Sequence, residues 1–129
     1  VVTARLVQVG QAQTWEVPAF KVGHAESTAG AGEAGNAVLL GHVSSVNAGN
    51  VFKALDRVRV EDAIDAHSGD RIFRYRVTEI LRVTREDASV LDTTPAPTLT
   101  LITCTGTWLP ELKDFSHRLV VRAELAPQA

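Results

Sequence analysis

The 129-residue sequence predicts an all-β domain, and three observations carry that expectation. Apolar residues alternate with polar ones at a period near two, the apolar runs are short, and Gly, Pro, Asn and Asp punctuate them. Helical pattern is scarce. The expected architecture is a closed or nearly closed barrel of about seven or eight strands with short helical turns. With 45% hydrophobic residues the chain can bury a core without staples, so residues 1–129 read as a single domain.

The elements follow in order. Residues 1–9 alternate loosely and read as a strand, and residues 15–22 as another, interrupted by Pro18. Proline has no N–H to give a ladder, which suits an edge or a bend. Residues 24–36, rich in Gly, Ala and Ser, read as a loop. Residues 37–42 are the near-continuous apolar run expected of a strand covered on both faces. Residues 44–54 run from loop into one helical turn, with Val51, Phe52 and Leu55 spaced to turn an apolar stripe inward.

Residues 63–66 are a brief strand, and Ser68-Gly69-Asp70 is a tight turn of hairpin type. Residues 71–83 form the longest strand. There Ile72, Tyr75, Val77, Ile80 and Val83 alternate with Arg74, Arg76, Thr78 and Arg82, and a slip of phase near Tyr75 predicts a bulge. Residues 92–97 are a connection stiffened by Pro95 and Pro97. Residues 98–104 are a strand, 105–117 a loop, 118–125 the last strand and 126–129 a frayed tail.

Composition narrows the function. A formal net charge of -2 offers no basic stripe, so a nucleic-acid partner is not expected. One cysteine excludes an internal disulfide, and no Cys/His cluster has zinc-site spacing. No run approaches the roughly 18 apolar residues of a membrane span. The chain opens on Val1-Val2 and holds no Met, which reads as a piece trimmed of a targeting or anchoring segment.

Three strand ends carry useful chemistry. Cys104 closes one apolar run, His42 closes another and Arg118 opens a third. A thiol attacks as thiolate, and a nearby imidazolium or guanidinium raises the thiolate fraction. Acyl transfer creates an oxyanion, which a guanidinium stabilises without losing its proton. The expelled amine needs a proton, which His delivers near neutrality. Cys104 as nucleophile, His42 as acid and base, and Arg118 as oxyanion donor therefore form a complete set. Taken singly, a Cys ending a core strand is more often packing, and a lone His or strand Arg more often a surface residue.

The segment TLITC resembles the TLxTC signature of the sortases, membrane-anchored cysteine transpeptidases of the Gram-positive cell envelope. GNAVLLGH resembles their catalytic-histidine strand, and HRLVVRAEL their final strand, whose arginine opening Arg-Leu-Val-Val is the catalytic one. The motifs stand in family order, and the WEVPAF strand, the Phe52 to Leu55 turn and the FRYRVTEI strand fit as well. The family usually carries a further N-terminal strand with an Ile-Pro pattern ahead of what is here Val1; no such pattern is found in this sequence, which leaves either an incomplete barrel or an unusual edge.

The resemblance implies a sortase-type barrel and a cysteine transpeptidase. It would cleave an LPxTG-like sorting signal between Thr and Gly through a thioacyl-enzyme. The implied partners are the sorting-signal peptide of a surface protein and an amine from a cell-wall precursor or a pilin lysine. The implied location is the extracellular face of the membrane, reached only through an anchor outside this sequence.

It also implies supporting roles. Thr103 corresponds to a family threonine that positions substrate or steadies the oxyanion, or is simply a β-branched strand residue. Thr105 would lend its backbone N–H to the oxyanion. Trp108 and Leu109 would border the groove for substrate or incoming amine, though a Trp there also suits capping the core. The region from Val83 to Pro97 would select Pro or Ala at the second position of the signal.

His24 is read as a loop residue, His67 as exposed before a turn, and His117 as facing away from the side that Arg118 takes. Glu86, Asp87 and Asp92 lie where some sortases bind calcium, yet their spacing forms no oxygen cage, so no metal and no cofactor is expected. With no lid segment ahead of Val1, a housekeeping or class D, E or F-like enzyme fits better than a pilin polymerase. The rivals are a non-catalytic β-barrel binding module with Cys104 in its core, and a cysteine hydrolase acting on peptides.

Overall fold

The computed structural model describes residues 21–43, 49–87 and 89–127, with the backbone alone of residues 2–4, 6–9 and 12–15. Among these, the strands are β1 Val2–Ala4, β2 Leu6–Val9, β3 Ala12–Trp15, β4 Gly23–Ala25, β5 Asn36–Leu40, β6 Ala63–Ser68, β7 Arg71–Thr84, β8 Thr98–Leu109 and β9 Asp114–Leu125. Seven form one sheet in the order β1-β4-β5-β8-β9-β7-β6, while β2 and β3 pair apart. Helix is confined to single 3-10 turns at Leu55–Arg57 and Ser89–Leu91. The protein is all-β as expected. Among the described residues, however, the large sheet is open, with β1 and β6 at its edges.

The centre of the sheet is built from the most apolar stretches. β5 runs parallel to β8, with Leu40 opposite Ile102, and β8 runs antiparallel to β9, with Ile102 opposite Val120. Residues 98–103 of β8 are all buried, because both faces of the sheet are covered. On one face Ala37, Tyr75, Val77, Leu99, Leu101, Val121 and Ala123 pack together. On the other, Val38, Leu40, Val90, Ile102 and Val120 form a second cluster. Each buried Val or Leu contributes about 1.5–3 kcal/mol of transfer free energy. Buried Tyr75 accepts a hydrogen bond from the Gly32 N–H at 2.8 Å, so its hydroxyl is not orphaned.

One extra residue switches β7 from the first cluster to the second. Val77 pairs with Ala123 and Glu79 with Arg122, leaving Thr78 over as a bulge. Before it, Phe73, Tyr75 and Val77 enter the first cluster; after it, Leu81 and Val83 pack on the second. From sequence the bulge is expected near Tyr75, with Ile72 and Ile80 in the apolar phase of the strand. They are 54% and 37% exposed, because the inward phase runs through residues 73, 75 and 77 before the bulge and through 81 and 83 after it.

Other differences have equally local causes. The expected loop at 105–117 is largely strand: β8 extends to Leu109, β9 begins at Asp114, and only residues 110–113 turn. Trp108 and Phe115 oppose each other there with ring centroids 5.3 Å apart, an edge-to-face pair that extends the hairpin. Gly106, at φ +87°, accommodates the register shift between Thr105 and Trp108. The expected strand at 1–9 is divided, because Val2–Ala4 pairs with β4 and Leu6–Val9 with β3. Of the strand expected at 15–22, Trp15 ends β3, Lys21 and Val22 are not strand, and residues 16–20 lie outside the described residues. So do residues 44–48 of the approach to the helical turn, where Leu55 is buried, Phe52 half-buried and Val51 exposed.

Candidate active site

The second cluster ends in a cavity. Side chains alternate along a strand, so Cys104 shares the face of Ile102, and Arg118 that of Val120. Cys104 and Arg118 are direct cross-strand partners, with Val83 of β7 opposite Arg118 in the same row. His42 lies two residues beyond Leu40, as Cys104 lies two beyond Ile102. His42, Cys104 and Arg118 all line one cavity of about 330 Å³, walled also by Thr103, Val90 and Leu91.

The backbone around His42 is tied on both sides. The Gly41 N–H donates to the Ile102 carbonyl at 3.2 Å, and the Phe52 N–H donates to the His42 carbonyl at 3.0 Å. Thr103 is buried, and its hydroxyl donates to the Gly41 carbonyl at 2.7 Å. Gly41 allows the close approach of the helical turn, since a Cβ there would stand 2.7 Å from Phe52 and 2.8 Å from Val51.

Arg118 is anchored by backbone and charge. Nη1 donates to the carbonyls of Phe115 at 3.2 Å and His117 at 3.1 Å, and Nη2 donates to Asp114 Oδ2 at 2.8 Å. The same carboxylate oxygen accepts from Arg85 Nε at 3.0 Å. Asp114 and Arg85 line the cavity as well, yet the sequence reading singled out neither. The available signal was the i, i+4 spacing of Asp114 and Arg118, which puts two residues on one face of a strand; reading 105–117 as a loop concealed it.

The wall at Val90 and Leu91 is clamped through the carbonyls of Val90 and Asp92. The Asn36 side-chain amide donates to the carbonyls of Val90 at 3.1 Å and Asp92 at 3.0 Å, while Thr100 donates to Asn36 Oδ1. Arg122 Nη2 also donates to the Val90 carbonyl, at 2.9 Å.

Burial pushes the Cys104 thiol above its ordinary range; nearby Arg118 pulls it down, and Asp114 pushes it up again. Desolvation thus outweighs the guanidinium that the sequence reading expected to favour the thiolate. Burial also works against ionised Asp114, but hydrogen bonds from Arg118 and Arg85 win and hold its carboxyl below the usual range.

The remaining candidates lie elsewhere. Thr105 and Trp108 do not line the cavity; the Thr105 hydroxyl accepts from Arg82 Nη1 at 2.8 Å, and Trp108 is 50% exposed against Phe115. His24 is not in a loop but on β4, where Nε2 donates to the Ala29 carbonyl at 2.7 Å, because the short strand pairs with Leu39. With exposed His67 it lines a separate cavity, next to Leu99 and Leu101. His117 is exposed and bonded through Nδ1 to the Ser116 hydroxyl at 2.7 Å. Asp87 reaches the cavity edge but accepts from Ser89, and Glu86 pairs with Arg85. Among the described residues, no three His, Cys, Asp or Glu side chains are grouped to hold a metal ion, and no helix is long and apolar enough to cross a membrane.

Residues 2–126 match the family model for the Sortase domain. The chain is 34% identical over 76 residues to Sortase A of Streptococcus agalactiae serotype III (strain NEM316), covering 58% of this chain and 28% of that protein. It is similar in structure to a Sortase D5 transpeptidase of Clostridium perfringens, with a TM-score of 0.69, 32% identity, and coverage of 82% of this chain and 62% of that one. Against Sortase C1 of Streptococcus agalactiae the TM-score is 0.70 at 31% identity, covering 84% of this chain and 54% of that one. The chain thus spans less than two thirds of these relatives, which carry names from several sortase classes.

Proposed function

The chain belongs to the sortase family, and on that premise we propose that it is a cysteine transpeptidase acting on surface proteins with a C-terminal sorting signal of the LPxTG type. The observation that carries this reading is the cross-strand pairing of Cys104 with Arg118 in a cavity that His42 also lines. His42 takes the thiol proton as Cys104 Sγ attacks the carbonyl carbon of the signal's Thr, and the Thr–Gly bond breaks as His42 gives that proton to the departing Gly nitrogen. Arg118 stabilises the oxyanion on the way to and from the thioester. An amine then attacks the thioester, His42 takes its proton, and the sulfur leaves as the Cys104 thiolate, which recovers that proton from His42.

The raised thiol fits a nucleophile that ionises only when a partner accepts its proton, rather than a standing thiolate. Thr103 supports the site by holding Gly41, and with it the strand end that carries His42. Thr105 stands off the cavity wall but follows Cys104 directly, and contributes through its backbone N–H alone; Trp108 stands outside the cavity and borders the approach of the second substrate. The catalytic unit is a single all-β domain of housekeeping or class D, E or F-like type. It works on the extracellular face of the membrane and takes its amine from a cell-wall precursor or a pilin lysine.

The test is a panel of sorting peptides, incubated with and without oligoglycine, diaminopimelate or lysine amines. Added amine should divert product from free acid to a new amide. Free acid alone, at every amine concentration, would establish a hydrolase instead. No turnover, together with a Cys104 inert to alkylation in the folded state, would establish a binding module.

A further inference from the structure

Two guanidiniums share one carboxylate beside the thiol. Asp114, Arg85 and Arg118 come from two neighbouring strands: Asp114 opens β9, Arg118 lies two side-chain alternations further along the same face, and Arg85 follows the last residue of β7. The Arg85 backbone is fixed there by its N–H on the Ser116 carbonyl at 3.3 Å. The three side chains are only 22–30% exposed, where an ion pair is less screened than on an open surface.

An arginine side chain carries about 2 kcal/mol of rotamer entropy, so a guanidinium that must meet a developing oxyanion works best when held beforehand. We propose that Asp114 is a positioning residue that fixes the Arg118 guanidinium at the wall of the Cys104 cavity, and that Arg85 is the strut that fixes Asp114 through the same carboxylate oxygen. The proposal rests on the reading of Arg118 as oxyanion donor. Asp114 touches neither sulfur nor substrate in this account and acts only through Arg118. Glu86, on the outer side of Arg85, is 70% exposed and contributes little to the strut.

The two roles of Asp114 have opposite signs at the reacting centre, which makes the idea testable. As a strut its loss misplaces Arg118 and slows turnover; as a negative charge its loss favours the thiolate. In the transpeptidation assay, Asp114→Ala should lower kcat about tenfold or more while KM stays within about twofold. Asp114→Asn, which keeps one acceptor oxygen, should recover part of that loss, and Arg85→Ala should lower kcat by a smaller factor. Alkylation of Cys104 in Asp114→Ala should be as fast as in the parent or faster. In an Arg118→Ala background, Asp114→Ala should add no further loss, since the two act as one unit.

Full kcat in Asp114→Ala alongside a large loss in Arg118→Ala overturns the strut and leaves the oxyanion reading standing. Parallel falls in kcat, alkylation rate and urea midpoint, repeated in the Arg118→Ala background, overturn it in favour of a general brace. Full kcat in Arg118→Ala removes the oxyanion reading and the strut together.

Discussion

Cys104 and Arg118 stand directly opposite each other across the β8–β9 ladder, so the hairpin that turns at residues 110–113 brings the thiol and the guanidinium to one wall. Backbone pairing brings the two residues together, and hydrogen bonds to Asp114, Phe115 and His117 hold the guanidinium beside the thiol. Its pull on the thiol opposes a larger effect of burial.

Arg118→Ala removes that pull, and the Cys104 thiol should move further above its ordinary range. The alkylation rate, followed from neutrality upward past about 8.5, the usual thiol value, should rise at higher pH in the folded parent than in the urea-unfolded chain, and higher still in Arg118→Ala. Because the folded value is raised, the neutral thiol favours the fold below the unfolded value, and this contribution fades as pH climbs through the folded one. A parent profile coincident with that of the unfolded chain would refute this.

Acid should act through Asp114. Its folded carboxyl lies below the usual range, so its contribution to stability is present above the unfolded value of about 3.9 and is lost as pH falls through the folded one. Urea midpoints between about pH 6 and pH 3 should fall more steeply in the parent than in Asp114→Asn. Equal slopes would mean the ion pairs contribute nothing to the fold.

Thr103→Val keeps the β-branch and removes the donor to Gly41. A lost buried hydrogen bond costs about 1–2 kcal/mol, measurable by urea unfolding. Turnover should fall further than stability explains, since the bond steadies the strand end bearing His42, and Thr103→Ser should restore both. Turnover that survives in Thr103→Val would detach this residue from the site.

Asn36→Ala should cost about 2–3 kcal/mol, because it takes a donor from the Asp92 carbonyl, leaves the Val90 carbonyl to Arg122, and leaves the Thr100 hydroxyl buried without its acceptor. The loosened segment carries Val90 and Leu91, which wall the cavity, so KM for a sorting peptide should rise more than kcat falls. An unchanged KM in a folded variant would show that the clamp serves stability alone.

The stretches the sequence made legible were those whose burial is uniform. The apolar runs at 37–40 and 98–103 are central strands, and the Gly69-Asp70 turn joins β6 to β7, because period-two patterning and turn chemistry are local properties. The bulge was misplaced by three residues because its position depends on which β9 residues Val77 and Glu79 oppose. The β8–β9 extension was missed because polar Thr105, Gly106 and Thr107 carry no strand pattern of their own; the Trp108–Phe115 contact that extends the hairpin exists only once the strands have paired.

By itself, then, the sequence determined the all-β class and named a thiol, an imidazole and a guanidinium at the ends of apolar runs. Tertiary structure alone decided which strands lie side by side, that the thiol is raised rather than lowered, and that Asp114 and Arg85 join the same wall. The division has a physical cause: side-chain alternation is written residue by residue, whereas parallel β5–β8 pairing, desolvation and shared ion pairs arise between segments far apart along the chain.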